Sequence, residues 1–426
     1  MNTNDLQLWI IGLLLLSSFS SCQEAQNFNS ENTIPVISEV DKGNYSILNL
    51  SDFASEITYI PLETNDATLI SEIKTIIYEN EKILIFNEKT MTTDYDKCMI
   101  FNKNGGFFKQ LGRRGQGPNE YFRIDQIFTD KDYVYVREQP NFLMRYDFDG
   151  NLVKKISAPK GEREKNQFLL FSFFQPLKKD IFVFDVNSWK EKYPIAMLVA
   201  EIDTGSTVIK EYPIEVELKK ATKNRSTFEN AIMYRYKDEV RLYKRVINDT
   251  VYTIGQDLEM REGFVFDFGK YNIPIAWFED YRIMPQMEAY IYVTSILEST
   301  THLFFIFQFG DQCPEPFEYT VINEITGKEM IVINKRVYGV YDKNAAKLTL
   351  MRQPVKTKLG FKNDMDEGPI FWPHYISSKN ELVTYISAED FLKHVANLKN
   401  PSPKLAELAK RVLPDDNPIV IIAKLK

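Results

Sequence analysis

Cysteine and histidine are both scarce in this chain of 426 residues, at three each. Cys22, Cys98 and Cys313 share no Cys-x-x-Cys spacing, which argues against a disulfide framework and against a thiolate metal site. Cys98 and Cys313 are expected to be buried free thiols. His302, His374 and His394 have no metal-ligand spacing either. No Gly-x-Ser-x-Gly elbow is present to present a hydrolase nucleophile. No Gly-Lys-Ser/Thr follows any glycine cluster, so a phosphate loop of the NTPase kind is absent. Basic charge is in deficit, with 52 Lys and Arg against 59 Asp and Glu and a net charge of −7. Neutralising a phosphate backbone needs a basic face, so nucleic acid is not expected as a partner. Nowhere does an apolar run reach the ~18 residues that a membrane-spanning helix needs.

Aromatic residues are plentiful, with 30 Phe and 23 Tyr. Such side chains fit a pleated, half-buried surface and favour a β-rich fold. A hairpin motif recurs: a strand, Asn or Asp, two residues, Gly, then a second strand. It occurs at Asn102 to Gly105 and at Asp147 to Gly150, shortened at Asp203 to Gly205, and with Ala345 replacing Gly after Asp342. Asn, Asp and Gly tolerate the positive φ of tight turns. Asn102 and Asp147 are 45 residues apart, the repeat length of a four-stranded propeller blade with its loops. Runs such as Ile181-Phe182-Val183-Phe184 are apolar on both alternations, as expected of a strand covered on both faces. Cys313 to Asn334 carries its own hairpin around Gly327 and is expected to be an insertion.

The two ends differ from the middle. Met1 to Cys22 has a short apolar run, Leu6 to Leu16, then small residues and Phe19-Ser20-Ser21-Cys22. The pattern resembles a relaxed bacterial lipobox and is expected to be a lipoprotein signal peptide, with cleavage before a lipidated Cys22. Residues 23–46 are polar and are expected to be a flexible tether, with the fold occupying 47–426. Near the C-terminus, Ser387 with Asp390 and Ser402 with Pro403 signal the starts of two helices, a short helical insertion in the last blade. The closing strand, Ile419 to Leu425, needs a partner. Ile57 to Leu62 is the expected one, joining the two ends of the chain to close a ring.

With these features the chain resembles the six-bladed β-propeller lipoproteins abundant in Bacteroidetes, distantly akin to NHL-type propellers. The carrying residues are the lipobox, Ile60-Pro61-Leu62-Glu63-Thr64, Gly112-Arg113-Arg114-Gly115-Gln116-Gly117-Pro118-Asn119-Glu120-Tyr121, Asp364-Met365-Asp366-Glu367-Gly368-Pro369 and Asp415-Asp416-Asn417-Pro418. The resemblance implies an all-β fold of six four-stranded blades. It also implies a place in the cell envelope, lipid-anchored and facing the periplasm or the surface, and it leaves biochemical activity largely unassigned.

The glycine-rich loop is the first candidate site. Its amides together with Arg113, Arg114, Glu120 and Tyr121 could meet a ligand, and a sharp structural crossing is the competing reading. Asp364, Asp366 and Glu367 supply oxygen ligands that could hold Ca²⁺, although the spacing is not that of an EF-hand; no other cofactor is expected. Trp372 and His374 follow, a ring that could stack on a sugar or pack between blades. The function expected is a monomeric binding or scaffold module for a glycan, a peptide or an envelope protein. The alternative is a propeller hydrolase or lyase working through paired carboxylates or a Ca²⁺-assisted step.

Overall fold

The computed structural model describes residues 34–38, 40, 43–87, 96–117, 119–138, 142–157, 170–187, 194–202, 205–213, 231–245, 249–274, 287–323 and 327–426. The leader with Cys22, Pro118, the turn at Asp203 and most of the expected tether lie outside these residues.

Sheet I contains Ile73–Glu79, Lys82–Asn87, Lys97–Asn102 and Phe107–Gln110. Sheet II contains Ile124–Thr129, Val134–Glu138, Phe142–Tyr146 and Leu152–Ser157. Sheet III contains Leu170–Lys178, Ile181–Asn187, Pro194–Ile202 and Gly205–Pro213. Sheet IV contains Ile232–Tyr236, Glu239–Tyr243, Thr250–Ile254 and Met260–Phe266. Sheet V contains Tyr292–Glu298, His302–Gln308, Arg336–Asp342 and Lys347–Met351. Sheet VI contains Tyr375–Ile376, Glu381–Ile386 and Ile419–Leu425, with Ala54–Pro61 as its outer strand. A separate two-stranded ribbon, Phe317–Ile322 with Glu329–Asn334, interrupts sheet V at the expected insertion.

Apart from Ala54–Pro61 in sheet VI and short parallel edge strands on sheets IV and V, the strands of each sheet run antiparallel in chain order, and the first strands of consecutive sheets touch in turn, with sheet VI returning to sheet I. This is an all-β propeller with few helices. Period-two alternation makes the core. In the second strand of sheet I, Leu84 and Phe86 are buried against sheet II, while Ile83 and Ile85 are buried against Val383 and Val420 of sheet VI. Each strand face therefore meets a neighbouring sheet, which explains the runs that are apolar at every position.

The ends of the chain meet in sheet VI. Ile419 pairs with Pro61, Ile421 with Tyr59 and Ala423 with Ile57. Asn417, 2 % exposed, pins this seam to the entry of sheet I. Its Oδ1 accepts from Ile70 N–H at 2.9 Å, and its Nδ2 donates to the carbonyls of Glu63 at 2.7 Å and Thr68 at 2.9 Å. The helices of this region are α1 (Leu50–Phe53), α2 (Ala388–Ala396) and α3 (Pro403–Ala409). The Ser387 side chain accepts from Asp390 N–H, and the Ser402 side chain accepts from Leu405 N–H, so both expected N-caps are made. Phe391, Val395, Leu405 and Leu408 fill the space beneath.

One boundary needs correction. The chain is ordered into the fold before residue 47: Val36–Ile37 pairs parallel with Val265 and Phe266 on the outer edge of sheet IV, and Tyr45–Ser46 pairs with Leu350 and Met351 of sheet V. These strands are too short to show a period-two pattern. They also cover two open sheet edges, which otherwise invite pairing with other chains.

Candidate functional site

Antiparallel order puts the turn after each first strand and the turn after each third strand on one face. These turns are short, and several are built on positive φ at Asn80, Glu81, Asp180, Lys237 and Asn380. Polar side chains join every neighbouring pair of sheets here. Glu79 accepts from Tyr375 Oη at 2.9 Å and from Ser378 N and Oγ at 2.6 Å, joining sheets I and VI. Asn80 donates to the Lys131 carbonyl, joining I to II, and Arg145 pairs with Asp180 at 3.0 Å, joining II to III. Gln256 donates to the Leu177 carbonyl, joining III to IV. Glu298 accepts from Tyr234 Oη at 2.9 Å and Arg241 Nε at 3.2 Å, joining IV to V, and Asn380 accepts from Thr300 N–H, joining V to VI. Burial, reinforced by the adjacent Glu298 and Glu79 carboxylates, pushes the Tyr234 and Tyr375 hydroxyls well above the usual tyrosine range. None of these residues stands in a sequence motif; only the three-dimensional pairing reveals them.

The connections from one sheet to the next lie on the opposite face, and the glycine-rich loop is one of them. Gly112 sits at φ +59°, where a Cβ would meet Tyr146 Oη at 2.7 Å. The loop is closed by Gly115 N–H to the Tyr121 carbonyl and Tyr121 N–H to the Arg113 carbonyl, both 3.0 Å. Its anion-binding capacity is used internally. The Glu120 carboxylate accepts from Gly117 N–H at 2.8 Å and from Arg113 Nε at 2.6 Å. A Cβ at Gly115 would collide with that same carboxylate. The Gly117 amide first, then Arg113, hold the Glu120 pKa below the ordinary carboxylate value.

Glu120 is thus the loop's own ligand, and Tyr121 is a core residue, 1 % exposed, whose hydroxyl donates to the Asp96 carbonyl at 3.0 Å. Arg113 and Arg114 remain exposed, and Arg114 lies 6.0 Å from the ring of Phe122. Phe122, 63 % exposed, is a residue that sequence reasoning passed over. Its amide is fixed by Glu138 Oε1 at 3.1 Å, and Glu138 is paired with Lys155 at 2.5 Å. Glu120→Gln should weaken the latch without unfolding the protein. Faster hydrogen exchange at the Gly117 amide is the expected result, with little change in global stability. In the parent protein the same amide should lose protection as pH falls through the depressed Glu120 pKa, because the carboxylate latch exists only above it.

The acidic segment does not assemble into a ligand set. Asp364 Oδ1 and Oδ2 accept from Ser51 N at 3.0 Å and Ser51 Oγ at 2.6 Å. Asp366 Oδ1 accepts from Tyr59 Oη at 3.0 Å and Gly368 N at 3.1 Å. Glu367 stands at φ +58°, with its carbonyl 2.8 Å from His394 Nε2. No group of three His, Cys, Asp or Glu among the described residues could hold a metal ion. Asp364 ties this connection to α1, Asp366 Oδ1 ties it to sheet VI, and the Glu367 carbonyl meets α2.

Trp372 is likewise a packing residue. It is 8 % exposed, stacked on Phe361 with centroids 5.6 Å apart, and against Tyr338 at 4.4 Å and Phe304 at 6.1 Å, between sheets V and VI. His374 is exposed, its Nδ1 lies 2.8 Å from Thr384 Oγ1 and its ring lies beside Tyr385. Cys98 is buried and free, and Cys313 is half-buried and free.

A family model, Domain of unknown function (DUF4934), matches residues 31–424. The chain belongs to that family. The DUF4934 chain is similar in fold to the crystal structure of a protein from Bacteroides fragilis NCTC 9343 that is named as exported. Identity is 19 % and the TM-score 0.64, over 92 % of this chain and 100 % of the other. A member of the DUF4221 family from Bacteroides vulgatus aligns at 11 % identity and a TM-score of 0.44, over 69 % of this chain and 93 % of its own. A protein of unknown function from Bacteroides thetaiotaomicron aligns at 10 % identity and a TM-score of 0.39, over 86 % and 75 %. No curated protein matches the DUF4934 chain.

Proposed function

We propose that this DUF4934 protein is a cell-envelope binding module: a six-bladed ring, related to NHL-type propellers and carried on a lipid at Cys22, that offers one face to a glycan, a peptide or another envelope protein. The observation that carries this reading is the inequality of the two faces. One is closed by short turns and by polar bonds between all neighbouring sheets. The other holds the longer sheet-to-sheet connections and exposes Arg113, Arg114 and Phe122 on a loop braced by Glu120 and Glu138. Loops on a rigid scaffold are where binding residues concentrate. The six sheets, each touching the next through its first strand, support the blade number. The export implied by the name of the Bacteroides fragilis protein supports the location.

A second reading is a hydrolase or lyase using paired carboxylates. It rests on Asp249, whose pKa is pushed up to about 6 by burial and by the nearby Asp267, on the same face. One experiment separates the two. A soluble fragment beginning at Ile34 is screened against glycan and peptide panels. The expected result is binding that Arg113→Ala, Arg114→Ala and Phe122→Ala together weaken by about tenfold or more, with unchanged melting temperature. Binding that ignores the triple change would overturn the proposed site. Turnover of a panel member that Asp249→Asn abolishes would replace the binding module with the enzyme.

A further inference from the structure

The two-stranded ribbon is the most anomalous surface of the molecule. It leaves the end of the second strand of sheet V at Cys313 and returns at Arg336, so it stands on the face of the long connections. Two strands alone are marginal in water, and a hydrophobic face normally needs a third strand or a covering layer. Here Tyr319, Ile322, Met330, Ile331 and Ile333 are between 40 % and 71 % exposed, a third of the 15 exposed large hydrophobic residues of the described chain. Single exposed hydrophobic residues are ordinary, whereas this concentration on one hairpin marks an interaction surface.

Register decides which backbone groups each edge of the ribbon offers and which side chains stand beside them. Asn323 N–H donates to the Lys328 carbonyl at 2.8 Å, and the ladder then pairs Val321 with Met330 and Tyr319 with Val332. Hydrogen-bonded pairs alternate with non-bonded ones in an antiparallel ladder. The backbone N–H and C=O of Glu329, Ile331 and Ile333 therefore point away from Phe317–Ile322, and the described residues place no further strand on that edge. The side chains of these three residues share one face with Glu318, Thr320 and Ile322. That face is three isoleucines bracketed by Glu318 at the base and Glu329 toward the tip, with no basic residue among them.

We propose that the edge Glu329–Asn334 accepts an extended segment of another polypeptide as a third strand. That segment carries aliphatic side chains opposite Ile331 and Ile333, and Lys or Arg opposite Glu329. Backbone bonds to the open edge would supply affinity, and alternate side chains would supply selection. Charge argues for this occupant: Glu329 and Glu318 make the face acidic, which a segment carrying Lys or Arg matches and an anionic lipid surface would repel.

The test uses the fragment beginning at Ile34 and two synthetic peptides, Lys-Thr-Val-Thr-Val-Thr-Lys, whose lysines and valines share one face, and its counterpart with Glu at both ends. The expected result is binding of the Lys-ended peptide, with amide-exchange protection at Ile331 and Ile333. Glu329→Lys should reverse the preference, by about fivefold in each direction. Ile331→Pro removes only an outward N–H, which an edge position tolerates, and should abolish binding with the melting temperature kept. Equal binding of both peptides, binding of neither, or a preference unchanged by Glu329→Lys would overturn the proposal. So would a dimer that Ile331→Pro dissociates, which would make a second copy the occupant. Co-sedimentation with phosphatidylglycerol vesicles in place of peptide binding would make the occupant a membrane.

Discussion

Replacing Asn417 by alanine is expected to lower stability by roughly 3 kcal/mol, because three hydrogen bonds, one buried and two partly buried, lose their side-chain partner together. The Ile70 amide and the carbonyls of Glu63 and Thr68 would keep their places in the turn and lose the group that satisfies them. Water cannot readily replace it at a position 2 % exposed. The damage falls at the seam where strands from opposite ends of the chain pair. Apart from the short edge pairings of Val36–Ile37 and Tyr45–Ser46, the other sheets are built from consecutive segments, so opening the seam costs contacts between residues more than 350 positions apart. Amide exchange should therefore accelerate first in Ala54–Pro61 and Ile419–Leu425, with the strands of sheets II and III following only at global unfolding. Uniform acceleration through all sheets would show that the seam is not a separate weak point. The measurement is hydrogen exchange alongside urea unfolding of the fragment beginning at Ile34.

Breaking the ion pair between sheets III and IV is expected to cost about 3–5 kcal/mol. Asp185 is wholly buried, its Oδ1 is 2.7 Å from Lys244 Nζ, and its Oδ2 accepts from Ala231 N–H at 3.4 Å. Burial raises the Asp185 pKa even with Lys244 beside it, so desolvation outweighs attraction at this site. Lys244→Ala would leave a buried carboxylate with little compensation. The sign of the pH dependence follows. A carboxylate with a raised folded pKa binds more protons in the native state, so its penalty is full above that pKa and is relieved as pH falls through it. The deficit of Lys244→Ala should thus shrink on acidification. The double change Asp185→Leu with Lys244→Met should recover most of the loss, since two apolar groups of similar size need no counter-charge. A deficit that stays constant from neutral to acidic pH would mean that Asp185 is not the group left unpaired.

Much of the architecture is legible in the sequence because it is local. The turns at Asn102–Gly105 and Asp147–Gly150 announce themselves through residues that accept positive φ, and Ser387 and Ser402 announce helix starts through their spacing to the first free amides. Strands buried on both faces are legible as unbroken apolar runs. The site residues were harder, for a physical reason in each case. Trp372 stands beside carboxylates in sequence, but its neighbours in space are Phe304, Tyr338 and Phe361, which no spacing rule connects. The glycine-rich loop has the composition of an anion cradle and is one, for Glu120 three residues beyond Gly117. Glu79, Glu298, Asp185 and Asn417 carry the polar junctions between sheets, and each looks in sequence like any other polar residue at a strand end.

The entry of the chain into the fold has a mechanical consequence. Val36–Ile37 and Tyr45–Ser46 lie parallel to the outer strands of sheets IV and V before the chain reaches Ala54 in the closing seam. A pull on the N-terminal end is therefore taken up first by these two short pairings, and the seam bears load only after both have given way. The outer strands act as a strain relief, separating tension on the N-terminal end from the integrity of the seam.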